Sequence, residues 1–104
     1  PQNVAHLARR FPQTRFMLAH FGGEWETGAK AARGVPNLFV DTSGSLPEAD
    51  MVEVLARNVG VERMLFGTDN ADFHYCLGKI LAANLTDDER ERILCGNAQD
   101  LFRL

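Results

Sequence analysis

The sequence lacks long apolar runs and has no excess of positive charge. No stretch approaches the roughly 20 consecutive apolar residues that a transmembrane helix needs. With 14 Asp and Glu against 11 Lys and Arg, the net charge is −3, which provides no long-range attraction to phosphate backbones or anionic lipid. We therefore expect neither nucleic acid nor a membrane as a partner. Because no signal-peptide pattern opens the chain, we expect a cytoplasmic protein.

Several signatures of known chemistry are also missing. The only two cysteines, Cys76 and Cys95, form no CxxC pair and have no histidine at metal-ligand spacing. Each falls on a predicted helix or at its end, so we expect buried, reduced thiols, with a disulfide as the alternative. The sequence contains neither a serine-centred nucleophile elbow nor a glycine-rich phosphate-binding loop. Any chemistry must therefore come from other residue types.

Apolar periodicity predicts helices that alternate with short buried strands. The expected order is α-β-α-β-α-β-α-α, with strands at 15–19, 38–40 and 64–66. Residues that cap helices predict where the helices start. Single N-caps are expected at Asn3, Asp72 and Asn97, and capping boxes at Ser45–Glu48 and Thr86–Glu89. Gly96 is expected to end the helix before the last one. Strands alternating with helices of this length imply a parallel sheet with right-handed crossovers.

The predicted strands are apolar on both faces, so both faces need a cover. One crossover helix per strand covers only one face, and the other requires a doubly wound arrangement or the interior of a closed barrel. A complete (β/α)8 barrel takes about 250 residues, so this chain would supply three of its eight strands. Residues 1–104 are therefore expected to form one partial α/β domain. Its uncovered apolar strip predicts a homo-oligomer or pairing with a separate N-terminal half.

Polar residues follow each predicted strand at its carboxyl end, where ligands gather in α/β proteins. His20 ends the first strand, Asp41 and Ser43 follow the second, and Asp69 follows the third. Ordinary turns and a loop histidine explain these residues equally well. As a functional group, Asp69 is an oxygen ligand for a divalent metal or a base toward metal-bound water.

Three further residues are candidates for substrate binding: Trp25, Ser43 and His74. Helix packing explains Trp25 equally well, and a plain turn explains Ser43. A catalytic zinc site usually needs three protein ligands and a water. His20 and Asp69 provide two candidates, and the chain offers no convincing third.

Four stretches that cover nearly the whole chain match a known family in order and spacing. They are Leu18–Gly23, Asn37–Gly44, Val59–Asp69 and Leu85–Phe102. Together these motifs resemble the amidohydrolase-related family, in the branch that includes aminocarboxymuconate-semialdehyde decarboxylase and related metal-dependent hydrolases. The resemblance implies the C-terminal part of a (β/α)8 TIM barrel, with about three parallel β/α units and the closing helices.

The same resemblance implies roles for the two strongest candidates. His20 would end the sixth strand and act on the substrate or on the metal-bound water. Asp69 would end the eighth strand as the metal-binding and proton-transferring aspartate. The implied cofactor is a divalent metal in the complete barrel, with zinc as the expected ion, and the implied partner is a small-molecule substrate.

The chain also departs from the family pattern. The family's His-x-His pair and the histidine of its fifth strand belong to segments that this chain does not contain. After Asp69, Asn70 and Ala71 stand where the family commonly has an aromatic residue and a proline. The first hypothesis is a metal-dependent hydrolase that attacks a small carbonyl-type substrate. The alternatives are a non-oxidative decarboxylase of the same family and a non-catalytic module that associates with another chain.

Overall fold

Three short strands alternate with helices, and three helices close the chain, along residues 1–45 and 48–104, which are the parts of the chain that the computed structural model describes. In chain order they are α1 (Gln2–Arg10), β1 (Phe16–Leu18), α2 (Trp25–Ala32), β2 (Leu38–Asp41), α3 (Met51–Val59), β3 (Met64–Leu65), α4 (Phe73–Ala82), α5 (Asp87–Glu91) and α6 (Asn97–Phe102). Tight 3-10 turns at His20–Gly22 and Val61–Arg63 follow β1 and precede β3. A π-helical turn at Arg92–Gly96 joins α5 to α6.

The strands form one parallel sheet in the order β1-β2-β3. Phe16 pairs with Leu38, and Val40 pairs with Met64. Each strand is separated from the next by a helix, so the predicted α/β class and parallel crossovers are confirmed. This is the architecture of part of a (β/α)8 barrel.

The two faces of the sheet differ in burial. Alternate residues of β2 point to opposite faces, and Leu38 and Val40 are completely buried in the core. Phe39 lies on the other face, where its register partner Met17 is 50% exposed. An apolar strip therefore remains open on this face, as expected for a sheet covered on one side. That a second copy of the chain or a separate N-terminal half covers this strip stays a prediction.

Two predicted caps are confirmed. The Asp72 side chain accepts a hydrogen bond from the backbone N–H of Tyr75 at 3.0 Å. Thr86 and Glu89 form the reciprocal pair of a capping box, with bonds of 3.2 and 2.7 Å. Both motifs bond within three residues, so the local sequence is sufficient to specify them.

The other caps were predicted wrongly at the start of the chain and before α3. α1 already begins at Gln2 and has no side-chain cap, so Asn3 lies inside the helix. α3 begins at Met51 rather than at Ser45, and residues 46–47 of the expected capping box lie outside the described residues. The Glu48 carboxylate instead accepts a hydrogen bond from the indole N–H of Trp25. A tertiary partner has replaced the local one.

The predicted stop at Gly96 and cap at Asn97 are also wrong. Gly96 has helical angles of φ −57° and ψ −42°, and the helical path continues through it. Asn97 is buried, and its side-chain amide donates to the carbonyl oxygens of Val61 at 2.6 Å and Met64 at 2.7 Å. These bonds anchor α6 to the start of β3, which local cap rules cannot anticipate.

The two cysteines have different environments. Both are free thiols, but only Cys76 is buried, whereas Cys95 is exposed. The expectation of two buried thiols is therefore wrong for Cys95, which occupies the π-helical turn on its solvent side. Among the described residues, no helix combines the length and apolarity required to cross a membrane.

Candidate active site

His20 and Asp69 lie at the carboxyl ends of the two outer strands in an unusual backbone conformation. His20 and Phe21 have φ of 53° and 56°, and Asp69 and Asn70 have φ of 50° and 60°. Left-handed angles are uncommon for residues other than glycine and cost about 1–3 kcal/mol each. Such costs concentrate at functional sites, where the surrounding structure holds the backbone in place. The two pairs therefore mark this edge of the sheet as a candidate site.

The fold brings the side chains of His20 and Asp69 together. Imidazole Nδ1 lies 3.3 Å from carboxylate Oδ2, and the two side chains are 41% and 54% exposed. An exposed pair of this kind contributes little to stability. Both line an open depression with Gly23, Gly44, Ser45, Asn70 and Ala71. A reactant in the depression could therefore reach both groups.

Asp41 organises the backbone around this pair. Its Oδ1 accepts hydrogen bonds from the backbone N–H of His20 at 3.2 Å and of Ser43 at 2.9 Å, and from the Ser43 hydroxyl. The carboxylate thus ties the loop after β1 to the loop after β2. Ser43 is only 5% exposed and directs its hydroxyl at Asp41, so its predicted contact with substrate has no support from this arrangement.

The other two candidates for substrate binding lie away from the depression. The Trp25 indole N–H donates to Glu48, next to α3. The His74 side chain is 91% exposed, and its Nδ1 is 3.7 Å from Oδ1 of Asp72. Neither residue lines the depression with His20 and Asp69. Their roles in substrate binding stay predictions.

Sequence reasoning missed Lys79, which bonds to the loop that borders the depression. Its ammonium donates to the backbone carbonyls of Thr42 at 3.0 Å and Gly44 at 2.7 Å. Burial lowers the pKa of Lys79 below its usual value, and the nearby Cys76 and Asp41 partly offset this effect. The available signal was a lysine directly before Ile80, on a helix whose buried face includes Cys76 and Ile80.

The side chains of His20 and Asp69 are suitable ligands for a divalent metal, but two ligands are fewer than a catalytic site uses. Imidazole nitrogen and carboxylate oxygen are both common zinc ligands, and a catalytic zinc site uses three protein ligands. Within residues 1–45 and 48–104, no group of three or more His, Cys, Asp or Glu side chains is placed to hold a metal. The described residues therefore fit a part of a ligand set.

Parallel β/α units with polar groups at the carboxyl ends of the strands define part of a (β/α)8-barrel protein. The family model described as Amidohydrolase matches residues 1–104. The chain therefore belongs to the amidohydrolase family, which confirms the resemblance drawn from its motifs. No curated protein matches the sequence.

Solved structures share this fold at low sequence identity. A 2,6-dihydroxybenzoate decarboxylase complexed with 2,6-dihydroxybenzoate matches 97% of the chain with a TM-score of 0.76 and 20% identity. A dihydroxybenzoic acid decarboxylase from Polaromonas sp. JS666, with bound manganese and 2-nitroresorcinol, matches 94% with a TM-score of 0.76 and 21% identity. An amidohydrolase from Burkholderia multivorans with bound zinc matches 98% with a TM-score of 0.72 and 18% identity.

The matches cover only part of each neighbour. The chain spans 38%, 36% and 48% of these three proteins, respectively. At such identities the likeness shows the fold, and the activity of a whole neighbour does not transfer directly to 104 residues.

Proposed function

We propose that this chain forms part of the active site of a metal-dependent hydrolase that acts on a small carbonyl-type substrate. The observation that carries the proposal is the approach of His20 Nδ1 to Asp69 Oδ2 at 3.3 Å, at the carboxyl edge of the sheet. Membership of the amidohydrolase family supports it. Manganese and zinc in the neighbouring structures support a divalent metal, and zinc remains the expected ion.

Each residue has a definite task in this proposal. Asp69 would hold the metal through its carboxylate and would accept a proton from the reacting water. When bound, the metal supplies an activated water near neutral pH. His20 turns Nδ1 toward Asp69, which leaves Nε2 to polarise the substrate or transfer a proton to it. Asp41 holds the His20 backbone in place through its N–H.

A non-oxidative decarboxylase is the second candidate. Two of the neighbours reported above are decarboxylases of dihydroxybenzoates, and they match the chain with a TM-score of 0.76. In that reaction His20 would protonate the carbon that loses carbon dioxide. The same pair of residues therefore serves either reaction, and the products distinguish them.

The reaction type can be tested on the protein as its gene encodes it, with whatever the reading frame adds to these 104 residues. Esters and lactones are assayed for acid release, and carboxylated aromatic or unsaturated acids for carbon dioxide release, with zinc or manganese supplied. We expect acid release, and we expect His20→Asn to lower kcat by about a hundredfold or more. His6→Asn, at an exposed position of α1, is the matched control.

The other outcomes have clear meanings. Carbon dioxide release that depends on His20 would replace the hydrolase by the decarboxylase. Absence of any turnover with metal present would contradict both enzymes and favour a non-catalytic module that associates with another chain.

The ligand count gives a separate prediction for the 104-residue chain alone. Because His20 and Asp69 supply only part of a catalytic ligand set, we expect no saturable zinc binding at micromolar concentration in calorimetry. Asp69→Asn should remove any weak heat that is seen, and the exposed Asp88→Asn should not. Tight one-to-one binding by the wild-type chain would contradict this prediction.

A further inference from the structure

We propose that Lys79 is a positioning residue for His20, because it fixes the loop against which the imidazole rests. Lys79 lies on α4 and does not line the depression with His20 and Asp69. It touches neither the substrate space nor the pair of His20 and Asp69. Its significance for catalysis rests on the proposed function, whereas its effect on the His20 ring does not.

The first contact is with the loop after β2. The Lys79 ammonium donates to the carbonyls of Thr42 and Gly44, at 3.0 and 2.7 Å. The Tyr75 hydroxyl, one turn earlier on the same helix, donates to the carbonyl of Ser45 at 3.2 Å. α4 therefore holds three carbonyls along four consecutive loop residues. The single Lys79 ammonium can hold two of these carbonyls because its donors point in several directions.

The second contact passes this restraint to the imidazole. Gly44 has φ of 88°, and a Cβ added to it would lie 3.0 Å from Nδ1 and 3.6 Å from Cβ of His20. The imidazole therefore packs directly against the Gly44 backbone. When the Gly44 carbonyl is held by Lys79, the surface beneath the ring is held as well.

The third contact is with the residue that follows His20. The Lys79 nitrogen lies 5.2 Å from the centroid of the Phe21 ring, within the range of a cation–π interaction. Phe21 is completely buried and follows His20 in the strained turn. One side chain therefore contacts both the residue after His20 and the residue under its ring. Partial burial of the Lys79 ammonium costs solvation free energy, and the contacts with the two carbonyls and the Phe21 ring offset that cost.

Lys79→Met tests the inference, because methionine keeps the length of the side chain and removes its donors. In NMR spectra of the folded protein we expect loss of the nuclear Overhauser cross-peak between the His20 ring protons and the Gly44 Hα protons. Lys79→Arg, which can still donate to both carbonyls, should retain the cross-peak. Lys30→Met, at an exposed position of α2, should leave it unchanged.

Activity provides the second measurement. If the protein turns over substrate, Lys79→Met should lower kcat and leave KM close to the wild-type value, since Lys79 orients His20 without touching the substrate. An unchanged cross-peak in folded Lys79→Met would overturn the inference. If that variant does not fold, Lys79→Leu, which also lacks side-chain donors, replaces it, with the same two outcomes. Loss of the cross-peak in a protein without activity would support the positioning role while contradicting the proposed enzyme.

Discussion

Replacement of Gly28 by alanine is expected to destabilise the fold by more than about 3 kcal/mol. A Cβ at this position of α2 would lie 1.8 Å from the carbonyl oxygen and 2.9 Å from the carbonyl carbon of Phe21. Both are backbone atoms in the turn that carries His20, so no side-chain rotation can relieve the contact. Relief would require α2 or the backbone of the turn to shift, which would disturb the packing of the completely buried Phe21.

The usual effect of this substitution has the opposite sign. Glycine inside a helix costs about 0.5–1 kcal/mol relative to alanine, so an unobstructed Gly→Ala change stabilises. Gly78, inside α4, has no atom within 4 Å of an added Cβ and is the matched control. Urea unfolding should move the midpoint down for Gly28→Ala and up for Gly78→Ala. Equal shifts in the two variants would show that α2 does not pack on the turn.

The second large effect is expected at Arg63, whose replacement by methionine should cost about 2–3 kcal/mol. The guanidinium donates to the carbonyls of Ala32 at 3.1 Å, and also to those of Val35 and Val59. Ala32 and Val59 are the last residues of α2 and α3, where carbonyls have no partner within the helix. Methionine would remove all of these charge-assisted bonds. The carbonyls of Ala32 and Val35 would keep the backbone N–H groups of Val35 and Leu38, both at 3.1 Å, whereas the Val59 carbonyl would lose its guanidinium donor.

The geometry of the donors makes Arg63 a sharp test. The guanidinium is a planar fork, and a lysine ammonium cannot reach carbonyls of two helices in the same way. Arg63→Lys should therefore recover only part of the loss in urea unfolding. Arg57→Met, at an exposed position of α3, should change stability by less than about 0.5 kcal/mol. A loss at Arg57 as large as that at Arg63 would assign the effect to charge rather than to the carbonyl bonds.

These two positions show how the scaffold bears on the site. Gly28 permits α2 to approach the turn that places His20, and Arg63 joins the ends of the helices that pack on the sheet. Neither residue enters the depression. The pair of His20 and Asp69 joins residues that are 49 positions apart in sequence, so it depends on the tertiary packing to which Gly28 and Arg63 contribute.

Sequence patterns succeeded where the responsible forces act over a few residues. The caps at Asp72 and Thr86 bond to amides three residues away, and both were predicted. Sequence patterns failed where a side chain bonded to a residue distant in sequence instead of forming the local cap. Glu48 accepts from Trp25, and Asn97 donates to Val61 and Met64, so neither forms its expected cap. A hydrogen bond between residues more than 20 positions apart leaves no trace in local periodicity.

The candidate site divides in the same way. The apolar runs that end at His20, Asp41 and Asp69 were sufficient to predict strands, and parallel strands necessarily place these ends at one edge. The conformations of the loops after β1 and β3 determine the distance between His20 and Asp69. They also determine the left-handed backbone angles of these two residues. The position of Lys79 beside the buried face of its helix was visible in the sequence, but its partners were not, because the carbonyls of Thr42 and Gly44 are backbone groups that carry no residue-specific signal.

The amino-acid sequence by itself determined the alternation of helices and strands, the parallel sheet, the family and the residues at the strand ends, since all of these follow from local periodicity and short motifs. Only the tertiary structure decided that Asp41 ties His20 to the next loop, that Gly44 lies under the imidazole and that Lys79 holds this loop. The physical reason is that such contacts join residues 21 to 37 positions apart through backbone atoms, and packing alone brings those atoms together.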